Sequence, residues 1–192
     1  MTKAVRTDAL LIQAASAEFR EHGFAGTDTN KIARRAGFAP QTFYRWFKDK
    51  TAIFLAVYRV WEEAIYRALE EDEGRAALRD PERRGADAAS LVDAIVAHHR
   101  AHRLFRRSLR ALSLEVDSVR RARAESRMRQ AERVARAAAE GGALTREDII
   151  VRLLQIERLA DALAENELAD LALPETAARA RLAELLNELR GG

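Results

Sequence analysis

Between Gln41 and Lys50 the sequence reads QTFYRWFKDK, a run whose side chains suit hydrogen bonding to nucleic acid rather than catalysis. Gln41 can pair in bidentate fashion with adenine and Arg45 with guanine. Thr42 can offer a methyl to thymine or a hydroxyl to phosphate. Tyr44 adds a phenolic hydroxyl on the same edge, and Lys48 and Lys50, just past it, suit phosphate oxygens. Phe43 and Phe47, four residues apart, supply an apolar face that would anchor such an edge to a support.

The elements that must position this run are short helices punctuated by glycine and proline. Leu11, Ala15 and Phe19 fall four apart, with Leu10 and Ala14 beside them, predicting an amphipathic helix over 8–22 stopped by Gly23. Thr27 or Asp28 can cap a second helix that carries Ile32, Ala33 and Ala36 inward. Gly37 supplies the left-handed residue that ends it. Pro40 opens a third helix, where its missing N–H costs nothing. The start of the second helix would direct the N–H groups of Thr29 and Asn30 at a phosphate. A plain three-helix head with core aromatics and solvated charges is the competing reading, and for Arg34 and Arg35 it is equally weighted. Trp46 is read first as a packing residue.

Charge and aromatic content are concentrated at this end. Residues 1–60 hold ten Lys or Arg against five Asp or Glu, whereas the remainder holds 23 against 25, within a chain of net charge +3. A locally basic head on an otherwise mildly acidic chain favours a polyanion at that head. Of twelve Phe, Trp and Tyr residues only Phe105 lies beyond Tyr66. With no cysteine, disulfides, thiolate zinc sites and cysteine nucleophiles are excluded. No Ser–His–Asp set or Gly-rich phosphate loop can be assembled, so no enzyme activity and no cofactor are expected. The start lacks a long apolar run, so secretion and membrane spanning are not expected, and the location is read as cytoplasmic.

Beyond the head, Asp49 can cap a long helix from about Thr51 to Glu73 bearing Ile53, Phe54, Val57, Trp61, Ile65 and Leu69. A loop is expected over 74–87, with Pro81 and Gly85. Helices follow over 88–101, 102–115 and 117–140, the last ended by Gly141-Gly142. Thr145 caps another, the pattern lapses over 165–173, and Pro174 reopens a final helix. The fold class is therefore all-α: a helix-turn-helix domain over 1–50 and a larger helical domain over 51–192.

Residues 8–58 resemble the N-terminal domain of the TetR family of bacterial transcriptional regulators. The resemblance rests on Ala14-Ala15 with Phe19, Gly23-Phe24, Thr27, Ile32-Ala33, Ala36-Gly37-Phe38, the run Thr42 to Phe47, and Lys50. It implies that Gln41, Thr42, Tyr44 and Arg45 face DNA, that Thr29 and Lys50 touch the backbone, and that Asn30 sits where some members touch a base. Ala39 departs from the family's frequent Ser N-cap, a change that costs about 1 kcal/mol of helix stability. Thr29 departs from a common apolar residue.

The resemblance further implies a homodimer on a near-palindromic double-stranded operator and a small-molecule effector whose binding releases a repressor. Two heads could read half-sites about 34–36 Å apart. For the dimer face the stripes Ile149, Leu153, Ile156, Ala160, Leu163 and Leu182, Leu185, Leu189 are the candidates, unless both helices close the chain's own core. Glu157 and Arg158 are read as rim groups. An effector pocket would be largely aliphatic, with rings only from Phe105 or from Tyr58, Trp61 and Tyr66. His98 and His102 share a helix face and could contact the effector. Five neighbouring Arg argue against a metal there, and none is expected. The long helix from Thr51 would be the only continuous connection transmitting motion. The rival to a DNA-reading regulator is a non-catalytic helical protein that binds small molecules or proteins and does not read DNA.

Overall fold

The computed structural model describes residues 6–70, 84–138 and 144–189, without the side chains of 64–70, 84–87 and 137–138. Among the described residues the chain is all helical: α1 Thr7–His22, α2 Thr29–Arg35, α3 Pro40–Tyr44, α4 Lys50–Glu70, α5 Arg84–Ala101, α6 Arg103–Glu115, α7 Asp117–Ala138, α8 Arg146–Ala164, α9 Glu167–Asp170 and α10 Glu175–Leu189. No described helix is long and apolar enough to cross a membrane. The expected loop over 74–87 is shorter at its far end, because α5 takes in Gly85. The lapse over 165–173 contains the single turn α9. Pro81, Gly141 and Gly142, with the side chains of Ile65, Tyr66 and Leu69, lie outside the described residues.

Contacts divide the chain into two compact units: Met1–Arg67 with Leu104–Arg120, and Ala68–Arg103 with Arg121–Gly192. A division at residue 50 would mark off the helix-turn-helix module alone. The backbone thus passes between units near residues 67, 103 and 120. The expectation that α4 is the only continuous connection is corrected accordingly, because α6 is built into the first unit.

The first unit closes on an aromatic hub. Phe54 of α4 is fully buried, with ring centroids 5.1 Å from Phe19, 5.3 Å from Phe24 and 4.8 Å from Phe105. Phe105 in turn stands 5.8 Å from Trp61. Edge-on and tilted pairs of this kind add to the gain from burial. Phe105 is 3% exposed, so the only ring late in the sequence belongs to the core around the head.

The second unit packs α5, α8 and α10 around Val92, Val96, Ile149, Leu163, Leu182 and Leu185. Thr145 and Asp148 form a reciprocal capping box at the start of α8, each side chain bonding the other's backbone N–H. A buried polar pair crosses this core: His99 Nδ1 and Asp161 Oδ1 lie 2.8 Å apart. Glu157 sits between Arg123, at 3.0 Å, and Arg127, both on α7. It is therefore an inter-helix ion-pair centre and not the rim group its sequence position suggested. Arg158 instead pairs with Glu167 at 2.5 Å.

Candidate nucleic-acid interface

The reading edge begins at the α1–α2 turn. Thr27 is buried, its hydroxyl donating to the Gly23 carbonyl at 2.8 Å. Asp28 caps α2, accepting from Lys31 N–H at 2.8 Å. Between the two capping candidates the tertiary environment decides, because only Asp28 remains at the surface. The Lys31 N–H bond, ahead of nearby positive charge, holds the Asp28 carboxyl below its ordinary value of 3.8. A depressed folded value means that the cap contributes fully above that ordinary value and is lost as pH falls through the lower folded one. Asp28→Ala is expected to cost about 1 kcal/mol at neutral pH. In urea unfolding the deficit should shrink as pH is taken below the ordinary aspartate value; a deficit constant with pH would rule out the charged cap.

Gly37 ends α2 at φ 78°, with Phe38 N–H bonding the Ala33 carbonyl at 2.9 Å and Gly37 N–H the Arg34 carbonyl at 3.0 Å. This is the paired closure that a left-handed residue permits after a helix. Pro40 then opens α3 behind Ala39, which makes no side-chain cap bond. The weak start expected from Ala39 is therefore present.

On α3, Phe43 is fully buried and stands 5.8 Å from the half-buried Phe47, while Gln41, Tyr44 and Arg45 are exposed and Thr42 is half-buried. Trp46 is 46% exposed, so it is not the packing residue expected. Asn30 and Lys48 are exposed too. The Thr29 hydroxyl lies 2.9 Å from the Tyr44 hydroxyl, tying the first turn of α2 to the end of α3.

Two cations have structural partners. Arg35 bonds Glu21 at 2.6 and 2.7 Å and Glu18 at 3.0 Å, bracing α2 on α1. Arg34 is exposed. Lys50, expected at phosphates, directs Nζ inward to the carbonyls of Phe24 and Thr27, both at 2.8 Å, and lies 4.1 Å from the Phe24 ring centroid. Burial there lowers its pKa, against the opposing effect of Asp28. Lys50 is thus a brace for the α1–α2 turn. Lys48→Ala is expected to reduce the salt slope of DNA binding by about 1. Lys50→Ala should lower the melting temperature and leave the slope alone. A shallower slope at unchanged melting temperature in the Lys50 variant would return that residue to the phosphates.

The other site candidates fall out differently. His98 and His102 on α5 have ring centroids 4.5 Å apart. No three His, Asp or Glu groups among the described residues could hold a metal ion. The buried His99–Asp161 pair gave no sequence signal beyond a histidine run, since its partner lies 62 residues away. Arg106, in the Arg-rich α6, is buried with its guanidinium 5.6 Å from the Trp61 ring centroid.

The proposed dimer stripes are corrected. Ile149, Leu153, Ile156, Ala160, Leu163, Leu182, Leu185 and Leu189 are all 9% exposed or less, and all but Ala160 belong to the second unit's own core cluster. The outward face of α8 is carried by Val151, 53% exposed, and Leu154, 50% exposed. They line an open groove of about 480 Å³ with Gln155, Arg158, Leu159, Arg181 and one edge of Leu185.

Residues 11–57 match the sequence model of the bacterial regulatory proteins of the tetR family. The HTH-type transcriptional regulator YdgC of Bacillus subtilis (strain 168) is 38% identical over 69 residues, which spans 36% of this chain and only 35% of that protein. A structure from Mesorhizobium loti MAFF303099, assigned to the TetR-family transcriptional regulators, superposes with a TM-score of 0.68 at 20% identity, covering 98% of this chain and 97% of that one. FadR of Bacillus subtilis, solved with stearoyl-CoA, gives 0.55 at 17% identity over 92% and 96%. The fold is that of a two-part helical protein with an N-terminal helix-turn-helix. Residues 11–57 are thus similar to the N-terminal domain of the tetR family, and the fold along nearly the whole length is like that of the solved structures.

Proposed function

We propose that this chain is a sequence-specific DNA-binding transcriptional regulator, a cytoplasmic homodimer that represses and is released by a small molecule. In this reading residues 1–50 read the operator, and 51–192 bind the effector and pair two copies. The observation that carries it is the two-sidedness of α3: Phe43 is fully buried, while Gln41, Tyr44 and Arg45 stand exposed, as do Asn30 and Lys48. A buried anchor with a polar outer edge is what a helix laid in the major groove requires. Thr29 contributes through Tyr44, whose hydroxyl it meets.

Selection of bound sequences from random duplexes tests this directly. A near-palindrome should be enriched, with half-sites one helical turn or a multiple of it apart. No enriched sequence, with or without effector, would favour a helical binding protein that does not read DNA. Arg45→Ala should lose about 1–3 kcal/mol of discrimination at one or two base pairs. Equal loss on operator and random DNA, measured by titration on both, would remove Arg45 from the base contacts.

For the effector we propose an apolar, largely aliphatic molecule, because the second unit's core is Leu, Ile, Val and Ala. His98 and His102 remain its proposed polar contacts and Trp61 a proposed ring contact, whereas Phe105 is accounted for by the core around Phe54. Stearoyl-CoA, the ligand of the Bacillus subtilis FadR structure, is a suitable first probe in operator-release assays.

A further inference from the structure

We infer that Ser108 of α6 is a positioning residue for DNA reading, holding the Gly23–Phe24 turn from which α2 starts. Phe24 N–H donates to Ser108 Oγ at 2.9 Å, a bond spanning 84 residues of sequence. The hydroxyl's own proton is directed elsewhere, to the Leu104 carbonyl one turn back in α6 at 2.8 Å. That back-bond is common for helical serine. Here it leaves an oxygen lone pair for an N–H from a distant turn.

The same residue is gripped at its other end. The Phe24 carbonyl accepts from Lys50 of α4, which also holds the Thr27 carbonyl. Gly23 adopts φ 67° and ψ 179°, backbone that L side chains rarely take, and a Cβ there would stand 3.4 Å from Ser108 Oγ. The turn is therefore fixed between α6 and α4, and its exit is fixed by the Asp28 cap. One residue later Thr29 meets Tyr44. Ser108 thus sets the first turn of α2 relative to the edge of α3, without itself approaching DNA-facing residues.

This inference rests on the DNA-reading proposal and adds a residue that no DNA-contact pattern would select. The test compares the full chain with Ser108→Ala and Ser108→Thr on a duplex enriched by the wild type. In Ser108→Ala, amide exchange at Phe24 should quicken while that of the second unit's core is unchanged. Operator affinity should fall on the order of tenfold, equivalent to about 1.4 kcal/mol. The salt slope should stay the same, since no phosphate contact is removed. Ser108→Thr, which keeps the hydroxyl, should restore both exchange and affinity.

Unchanged exchange at Phe24 in the alanine variant overturns the inference. So does faster exchange with wild-type operator affinity, which would make the bond a local stabiliser alone. Specific binding by the wild type and equal binding by the alanine variant defeats only the role of Ser108. A wild type that enriches no sequence defeats the DNA-reading proposal, and the positioning role with it.

Discussion

Replacing Phe54 with alanine is expected to destabilise the chain by about 3–5 kcal/mol, the range for emptying an aromatic site in a packed core. Phe54 is fully buried, and three rings converge on it: Phe19 of α1, Phe24 of the turn and Phe105 of α6. Truncation would take one ring contact from each of the three, in a packed interior that relaxes only partly around the space left behind. The measurement is urea unfolding followed by helical circular dichroism, with Leu114→Ala as the surface control. Leu114 is 88% exposed, and its truncation should stay within about 0.5 kcal/mol of the wild type. A Phe54 deficit below about 1 kcal/mol would show that the hub relaxes and is not the core's keystone. DNA binding should weaken as well, because Phe24 carries both the Ser108 bond and the Lys50 contacts.

The second large effect separates two adjacent leucines. Leu153 is 5% exposed within the core of the second unit, and Leu154 is 50% exposed in the groove beside Val151, Arg158 and Arg181. Consecutive residues on a helix point about 100° apart, so neighbours can serve different surfaces. Leu153→Ala is expected to cost about 2–5 kcal/mol, as for other buried leucines. If the outward face of α8 carries the two-fold contact, Leu154→Asp should leave helix content intact and shift the proposed dimer toward monomer, because a new charge would then be buried between the copies. Sedimentation across a concentration series reads the second outcome and denaturant unfolding the first. A Leu154→Asp variant that remains dimeric would place the two-fold contact on another face. A Leu153→Ala variant as stable as the wild type would contradict the core assignment.

How far the molecule was legible from its sequence differs between head and body. In the head, Gly23, Gly37 and Pro40 punctuate the chain where the helices stop and start, and Asp49 caps α4 through the Ala52 N–H at 2.7 Å. Phe43 turns inward and Arg45 outward, as their positions on one turn of helix require. In the body the helix boundaries agree within a few residues, and of the two readings open for the α8 stripe, dimer face or own core, the structure favours the core. Both stripes contain large apolar residues, Ile149, Leu153 and Ile156 on one side, Val151 and Leu154 on the other. Periodicity reports that a face is apolar without saying which element covers it.

By itself, then, the sequence determined the all-helical class, the helix-turn-helix and the polar edge of α3. Capping, glycine stops and 3.6-residue periodicity act between residues a few positions apart. Only the tertiary structure decided that Lys50 turns inward, that Phe105 joins Phe54, that His99 meets Asp161 and that Ser108 holds Phe24. Each joins residues 23 to 84 positions apart, and no local pattern marks either member. A lysine, a serine or a lone ring has several low-energy partners in an unfolded chain. Which one it keeps is set when the helices close on each other and exclude water from the rest.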